Sequence, residues 1–326
     1  MRRSLYILSS LVLAGMISIS TTCPVGATSA AATASTAITA IAVDASKVNP
    51  FSNTHLAEGN TAMQPEGLAA TEMHNTHKPQ KQQALTFVLV HGAWADAAFW
   101  DRTAEALRKQ GHTVYAPEYA GHGSLYNPRV THDQIADSVV KYIKDKRLKH
   151  FILVGHSFGG SVIQKVAEQV PERIQRLVFW DAFVVPDGQS VAEQFPAPLR
   201  QAFQQLLDAS GNHTINLPFP VFRDTFVNTA TLRQAKDIYR KVKPEPGGPL
   251  FEPLELKTFY QLGMIPKSYL FLTSDIALPQ TPFGFHPSQS SHLGQYRLIV
   301  GKGDHMTSAF VHPTYLAHKL YEASRD

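Results

Sequence analysis

The run FILVGHSFGGSVIQKVAEQV, residues 151–170, constrains the fold more tightly than any other stretch of this chain. It is apolar through Val154, breaks at Gly155-His156-Ser157-Phe158-Gly159-Gly160, and resumes at helical spacing. A strand that turns abruptly into a helix belongs in a sheet whose strands alternate with helices. From residue 84 onward the chain supplies that rhythm. Apolar runs over 84–92, 112–118, 150–156, 174–183, 267–275 and 296–305 predict strands. Residues 96–111 predict a helix with Phe99, Trp100, Ala104 and Leu107 on one face, and 131–147 a second helix capped by Thr131. Continuous Val, Ile, Leu and Phe runs separated by helices predict an α/β fold, a mostly parallel central sheet flanked by helices. The stretch 187–263, rich in Pro, Phe and Gln, interrupts the rhythm and reads as a helical cap inserted between two strands.

Residues 155–159 form Gly-x-Ser-x-Gly with a strand before and a helix behind. In that context the serine reads as a nucleophile rather than a helix cap. The glycines give the turn room. The strained turn lifts the Ser157 hydroxyl above the carboxyl edge of the sheet, where a helix N-terminus favours developing negative charge. A serine hydroxyl needs a base within hydrogen-bond reach. His305, in the loop after the last strand, is the expected base. His156 adjoins the serine but should point away from its Oγ, and His91 and His122 read as pocket lining or loop hydrogen-bonders. The acid that orients the imidazole is expected between serine and histidine in chain order. Asp275 fits, and Asp181 is its rival; Asp304 is too close to His305 in sequence to reach the far ring nitrogen. An acyl-transfer intermediate also needs two backbone donors for its oxyanion. Phe158, next after the serine, supplies one. Ala93 or Trp94 supplies the other, Ala93 by preference, in a loop where Gly92 lets the backbone approach closely.

The N-terminal part of the chain is different in kind. Residues 1–27 begin MRRSLYILSSLVLAG and end in a small-x-small pattern at Val25-Gly26-Ala27, which reads as a secretory signal. Residues 28–84 are Ala-, Thr- and Ser-rich and then polar and broken, and read as a disordered tether to a domain over 85–326. The single cysteine, Cys23, lies inside the signal, so a mature exported protein has neither disulfide nor thiol chemistry. Losing Arg2 and Arg3 lowers the formal charge from +4 to +2, which gives no nucleic-acid footprint, and no stable membrane span is expected after cleavage.

The motifs FVLVHGAW, GHSFGG, FWDAFVVPDGQS, LTSDIALP and GKGDHM follow one another in this order. With them the chain, from about residue 84 to 326, resembles the α/β-hydrolase superfamily. It is most similar to the branch holding plant methylesterases, hydroxynitrile lyases and related bacterial esterases. The resemblance implies a triad of Ser157, His305 and Asp275, oxyanion donors at Ala93 and Phe158, and an apolar tunnel under the cap. Gly92, Trp94, His156 and Met306 are expected along the substrate pocket. The lyases carry threonine at the place of Gly92, and a cyanide-stabilising lysine at the place of Met306; both departures favour ester hydrolysis. The expected activity is that of an exported serine carboxylesterase acting on a small-molecule ester. Phe195, Phe203, Phe219, Phe222 and Phe226 suggest an apolar acyl or aryl group, unless they form the cap's own core. Amide, lactone or C–C bond hydrolysis on the same triad stays open, as do cyanohydrin cleavage and a non-catalytic binding protein. No cofactor or metal is expected: HPSQSSH, 286–292, offers two histidines without a clear third ligand.

Overall fold

The computed structural model describes residues 83–278 and 282–325. The secretory signal over 1–27 and all but the last two residues of the tether lie outside the described residues. The chain starts with β1 (Thr86–Val90), a 3-10 turn at Ala97–Trp100, α1 (Asp101–Lys109), β2 (Thr113–Tyr115) and α2 (His132–Asp145). Next come β3 (Phe151–His156), α3 (Gly159–Gln169) and β4 (Ile174–Trp180). The inserted segment holds α4 (Ala197–Ser210), β5 (Thr214–Ile215), α5 (Phe219–Phe226), α6 (Leu232–Tyr239), β6 (Glu245–Pro246), α7 (Gly248–Phe251) and α8 (Lys257–Gln261). The core resumes with β7 (Lys267–Leu272), β8 (Arg297–Gly301), α9 (Thr307–Val311) and α10 (Pro313–Ala323).

Six strands form one sheet in the order β2-β1-β3-β4-β7-β8, every neighbouring pair parallel. Phe151, Ile152, Leu153 and Val154 of β3 are fully buried, as a strand covered on both faces must be. Each such side chain contributes about 1.5–3 kcal/mol by leaving water. The chain winds outward to β2, then returns past β1 to β3, so the winding reverses between β1 and β3. Ligands of open α/β sheets bind at the carboxyl ends of the strands flanking such a reversal. Val90 stands opposite Gly155, His156 opposite Trp180, and Trp180 opposite Leu270. The loops that follow β1, β3, β4, β7 and β8 therefore meet on one rim.

Several predicted elements end earlier than expected, each for a local reason. The helix expected over 96–111 opens as a 3-10 turn because the Asp96 side chain accepts from the Ala98 amide and caps it. The strand expected to reach residue 183 stops at Trp180, since Asp181 takes φ +36° and leaves the extended region. The strand expected over 112–118 stops at Tyr115, short of Pro117, which has no N–H to give a ladder. Thr131 does cap α2, in a reciprocal capping box with Gln134.

Candidate active site

Ser157 follows β3 directly and takes φ +54°, the left-handed region that costs a non-glycine residue about 1–2 kcal/mol. The Ser157 amide donates to the Trp180 carbonyl at 3.2 Å, and the Ser157 carbonyl accepts from the amides of Gly160 at 2.9 Å and Phe183 at 3.1 Å. Those bonds pin the turn. A β-carbon at Gly159 would lie 2.6 Å from the His91 carbonyl oxygen, and one at Gly92 would lie 2.8 Å from the Ser157 β-carbon. Glycine is required at both places by the closeness of β1 to the turn.

His305 and Asp275 meet although 30 residues separate them: His305 Nδ1 donates to Asp275 Oδ2 at 2.6 Å, and both are buried. The other oxygen, Asp275 Oδ1, accepts from the Ala277 amide at 2.8 Å. With Nδ1 carrying the proton, Nε2 is left with a lone pair. Ser157 and His305 line the same cavity, together with Ala93, Trp94 and Phe158. Among the described residues, neither the Ala93 amide nor the Phe158 amide has a hydrogen-bond acceptor. The cavity thus gathers a hydroxyl, an oriented imidazole and two open backbone donors.

Asp181, the rival acid, is fully buried and bonded to Asp275 rather than to His305; one of its oxygens accepts from the Leu272 amide at 3.1 Å. Burial first, and then the charge of Asp275, push its carboxyl well above the ordinary range. Two carboxyls this close do not both ionise, so Asp181 is the one that keeps its proton. Asp304 faces elsewhere. Its Oδ2 accepts from the Thr229 amide at 2.7 Å, tying the inserted segment to the His305 loop.

Of the four residues expected along the substrate pocket, only Trp94 lines this cavity. Gly92 lies beneath the serine turn instead. His156 turns away: its Nε2 donates to the His305 carbonyl at 2.9 Å, and its ring stacks on Phe99. Burial holds its pKa well below the ordinary histidine value. Met306 borders a neighbouring cavity of about 210 Å³ beside Lys243 and Phe310, which touches neither Ser157 nor His305. The cavity over Ser157 has a free volume of only about 30 Å³, room for one or two waters. Phe195, Phe203 and Phe226 line it, whereas Phe219 and Phe222 pack on Tyr239 inside the inserted segment. The five phenylalanines divide between pocket and cap core.

Sequence reasoning missed a further buried carboxyl group on this rim. Glu245 Oε2 accepts from the Trp94 amide at 2.7 Å and from His122 Nε2 at 3.0 Å. A second buried Ser–His pair is inert by its geometry: Ser161 Oγ donates to the Phe158 carbonyl at 2.8 Å, so His132 Nε2 must donate to it, also at 2.8 Å. Burial pushes His132 down to about 3. His286 Nδ1 pairs with the Ser290 hydroxyl at 2.8 Å and His292 Nδ1 donates to the Val184 carbonyl at 2.6 Å.

A doubly wound parallel sheet carrying a serine on a left-handed strand–helix turn defines a hydrolase class. Residues 87–321 match the alpha/beta hydrolase family, and the chain belongs to that family. A carbendazim hydrolyzing esterase from Nocardioides sp. (strain SG-4G) is 42% identical over 116 residues, 35% of this chain and 48% of that protein. Putative methylesterase 13, chloroplastic, of Arabidopsis thaliana is 27% identical over 253 residues, 71% of this chain and 54% of that protein. The chain thus spans about half the length of these curated relatives. Among solved structures, an extracellular α/β-hydrolase from a Paenibacillus species is 65% identical, covering 74% of this chain and 100% of that one, with a TM-score of 0.73. That hydrolase is described as sharing structural and functional homology with tobacco salicylic acid binding protein 2.

Proposed function

We propose that the chain is a serine carboxylesterase. Ser157 Oγ attacks the ester carbonyl while His305 Nε2 takes its proton, and the carbonyl π pair moves onto oxygen as the oxyanion. Ala93 and Phe158 donate to that oxyanion; one such donor is worth about 10²–10³ in rate. On collapse, the C–O bond to the alcohol breaks and His305 returns the proton to the leaving oxygen. Water then repeats the sequence on the acyl-enzyme. Asp275 holds the imidazole in the tautomer this needs and stabilises its cation. The observation that carries the reading is the sharing of one cavity by Ser157 and the Asp275-bound His305.

The substrate we propose is a small ester, methyl or otherwise short on the alcohol side, of an apolar or aromatic acid. The phenylalanines of the cavity support the apolar half, and relatives named as methylesterases support the short alcohol. We further propose that residues 1–27 direct export and are removed, in keeping with the extracellular relative. A panel of p-nitrophenyl esters of graded acyl length, run on the wild type and on Ser157→Ala, tests the reading. Turnover confined to the wild type supports it, and undiminished turnover by Ser157→Ala sinks it.

A further inference from the structure

Trp94 follows the oxyanion donor Ala93 and takes φ +58°, a conformation its own side chain disfavours. Something outside the loop must hold it there. All three of its polar groups are taken by the segment inserted between β4 and β7. Its amide donates to Glu245 Oε2 at 2.7 Å, its carbonyl accepts from the Lys243 amide at 3.0 Å, and its indole Nε1 donates to the Ile215 carbonyl at 2.9 Å. Ile215 and Glu245 stand opposite each other in the antiparallel β5–β6 ribbon. The peptide plane on the other side of Ala93 is held as well. His91 Nδ1 donates to the Gly92 carbonyl at 2.9 Å, and since that carbonyl is trans to the Ala93 N–H, fixing one directs the other.

Glu245 is completely buried, and so is the His122 ring that faces it. His122 Nδ1 faces the Ala120 carbonyl at 3.3 Å, so both ring nitrogens face acceptors, an arrangement that favours the imidazolium. Burial opposes that charge, but Glu245 outweighs it and the net shift is upward. Among the described residues the Trp94 amide is the one backbone group Glu245 binds, and its second oxygen, Oε1, has no partner.

We propose that Glu245, paired with His122, is a positioning residue for the oxyanion hole: by binding the Trp94 amide it locks the left-handed turn that aims the Ala93 N–H at the acyl oxygen. The inserted segment then completes the oxyanion hole as well as covering the serine. This rests on the esterase reading, in which Ala93 is an oxyanion donor.

The test uses the full chain as wild type, Ser157→Ala, Glu245→Ala and Glu245→Gln. Each is assayed with a p-nitrophenyl ester and with an aryl trifluoromethyl ketone, to which Ser157 adds to give a hemiketal oxyanion in the hole. Glu245→Ala is expected to lower kcat about 100-fold with KM within about threefold, and to weaken the ketone's Ki by a matching factor. Glu245→Gln keeps an oxygen for the Trp94 amide without the charge, and recovers to about a tenfold loss. A folded Glu245→Ala with kcat within threefold of wild type, or a loss confined to KM, overturns the proposal. If Glu245→Ala does not fold, wild-type kcat and Ki in Glu245→Gln overturn it equally. Ser157→Ala separates the two failures: if it turns over normally the esterase reading itself falls, and if it is dead while Glu245→Gln is unchanged only the positioning role falls.

Discussion

Among the described residues, two carboxylate–imidazole pairs with both partners fully buried sit on the same rim and face different things. Asp275 and His305 meet at 2.6 Å, and the imidazole's free nitrogen belongs to a ring that lines the cavity with Ser157. Glu245 and His122 meet at 3.0 Å, but there both ring nitrogens face acceptors, and the carboxylate's remaining bond goes to the Trp94 backbone. The residue types are nearly the same. What differs is which atom the pair leaves over: in the first the ring nitrogen turned away from the carboxylate, and in the second a carboxylate oxygen that accepts from an amide. Pairing alone therefore does not mark a catalytic dyad. The far side of the imidazole does.

The largest expected effect is at Asp275. Asp275→Asn removes the acceptor that fixes the Nδ1 proton, and kcat/KM for an activated ester should fall about 10⁴-fold with the fold intact. A loss smaller than that of Glu245→Ala would invert the comparison. Asp181→Asn should cost activity less than about tenfold, because a neutral amide can donate to Asp275 as the protonated carboxyl does. Its clearer signature is in stability. Asp181 binds its proton more tightly folded than unfolded, so its contribution is full below the unfolded value of about 4 and is lost as pH rises toward the folded value. The Tm of Asp181→Asn should gain on the wild type between pH 4 and 8.

The smallest effect on activity, less than about threefold, is expected for His132→Gln, since the nitrogen that faces Ser161 carries the hydrogen. Its pH effect has the opposite sign to that of Asp181. His132 is held neutral, with its pKa depressed from 6.5 to about 3, so the stability it contributes is lost as pH falls from about 6.5 toward 3. Urea midpoints at pH 4 and pH 7 should differ less in His132→Gln than in the wild type. A wider difference in the variant would assign the charge state of that histidine wrongly.

The first pair could be read from sequence and the second could not, for a physical reason. Ser157, Asp275 and His305 each stand just past an apolar strand run, and a parallel sheet puts all such positions on one edge. Glu245 lies in KPEPGGP, a stretch with no periodicity, 151 residues from Trp94 and 123 from His122. No local rule predicts where such a loop docks. Trp94 likewise gave no sign that it would need φ +58°, since left-handed turns are signalled by glycine or asparagine and not by tryptophan. The same limit explains the phenylalanines of 195–226, whose division between cavity and cap core follows from tertiary packing. The early end of β4 is a milder case. Asp181 looked like part of an apolar strand running to residue 183, whereas its φ of +36° takes it out of the extended region.

The central claim is that Ser157 is made nucleophilic by the Asp275-held imidazole of His305. Peptide mapping after brief exposure to a fluorophosphonate tests it most directly, with labelling rates compared between the wild type and His305→Ala. A single adduct on Ser157, formed at least about 10³-fold more slowly without the imidazole, is the predicted result. An adduct on any other residue, or equal labelling of Ser157 in the two proteins, would contradict it.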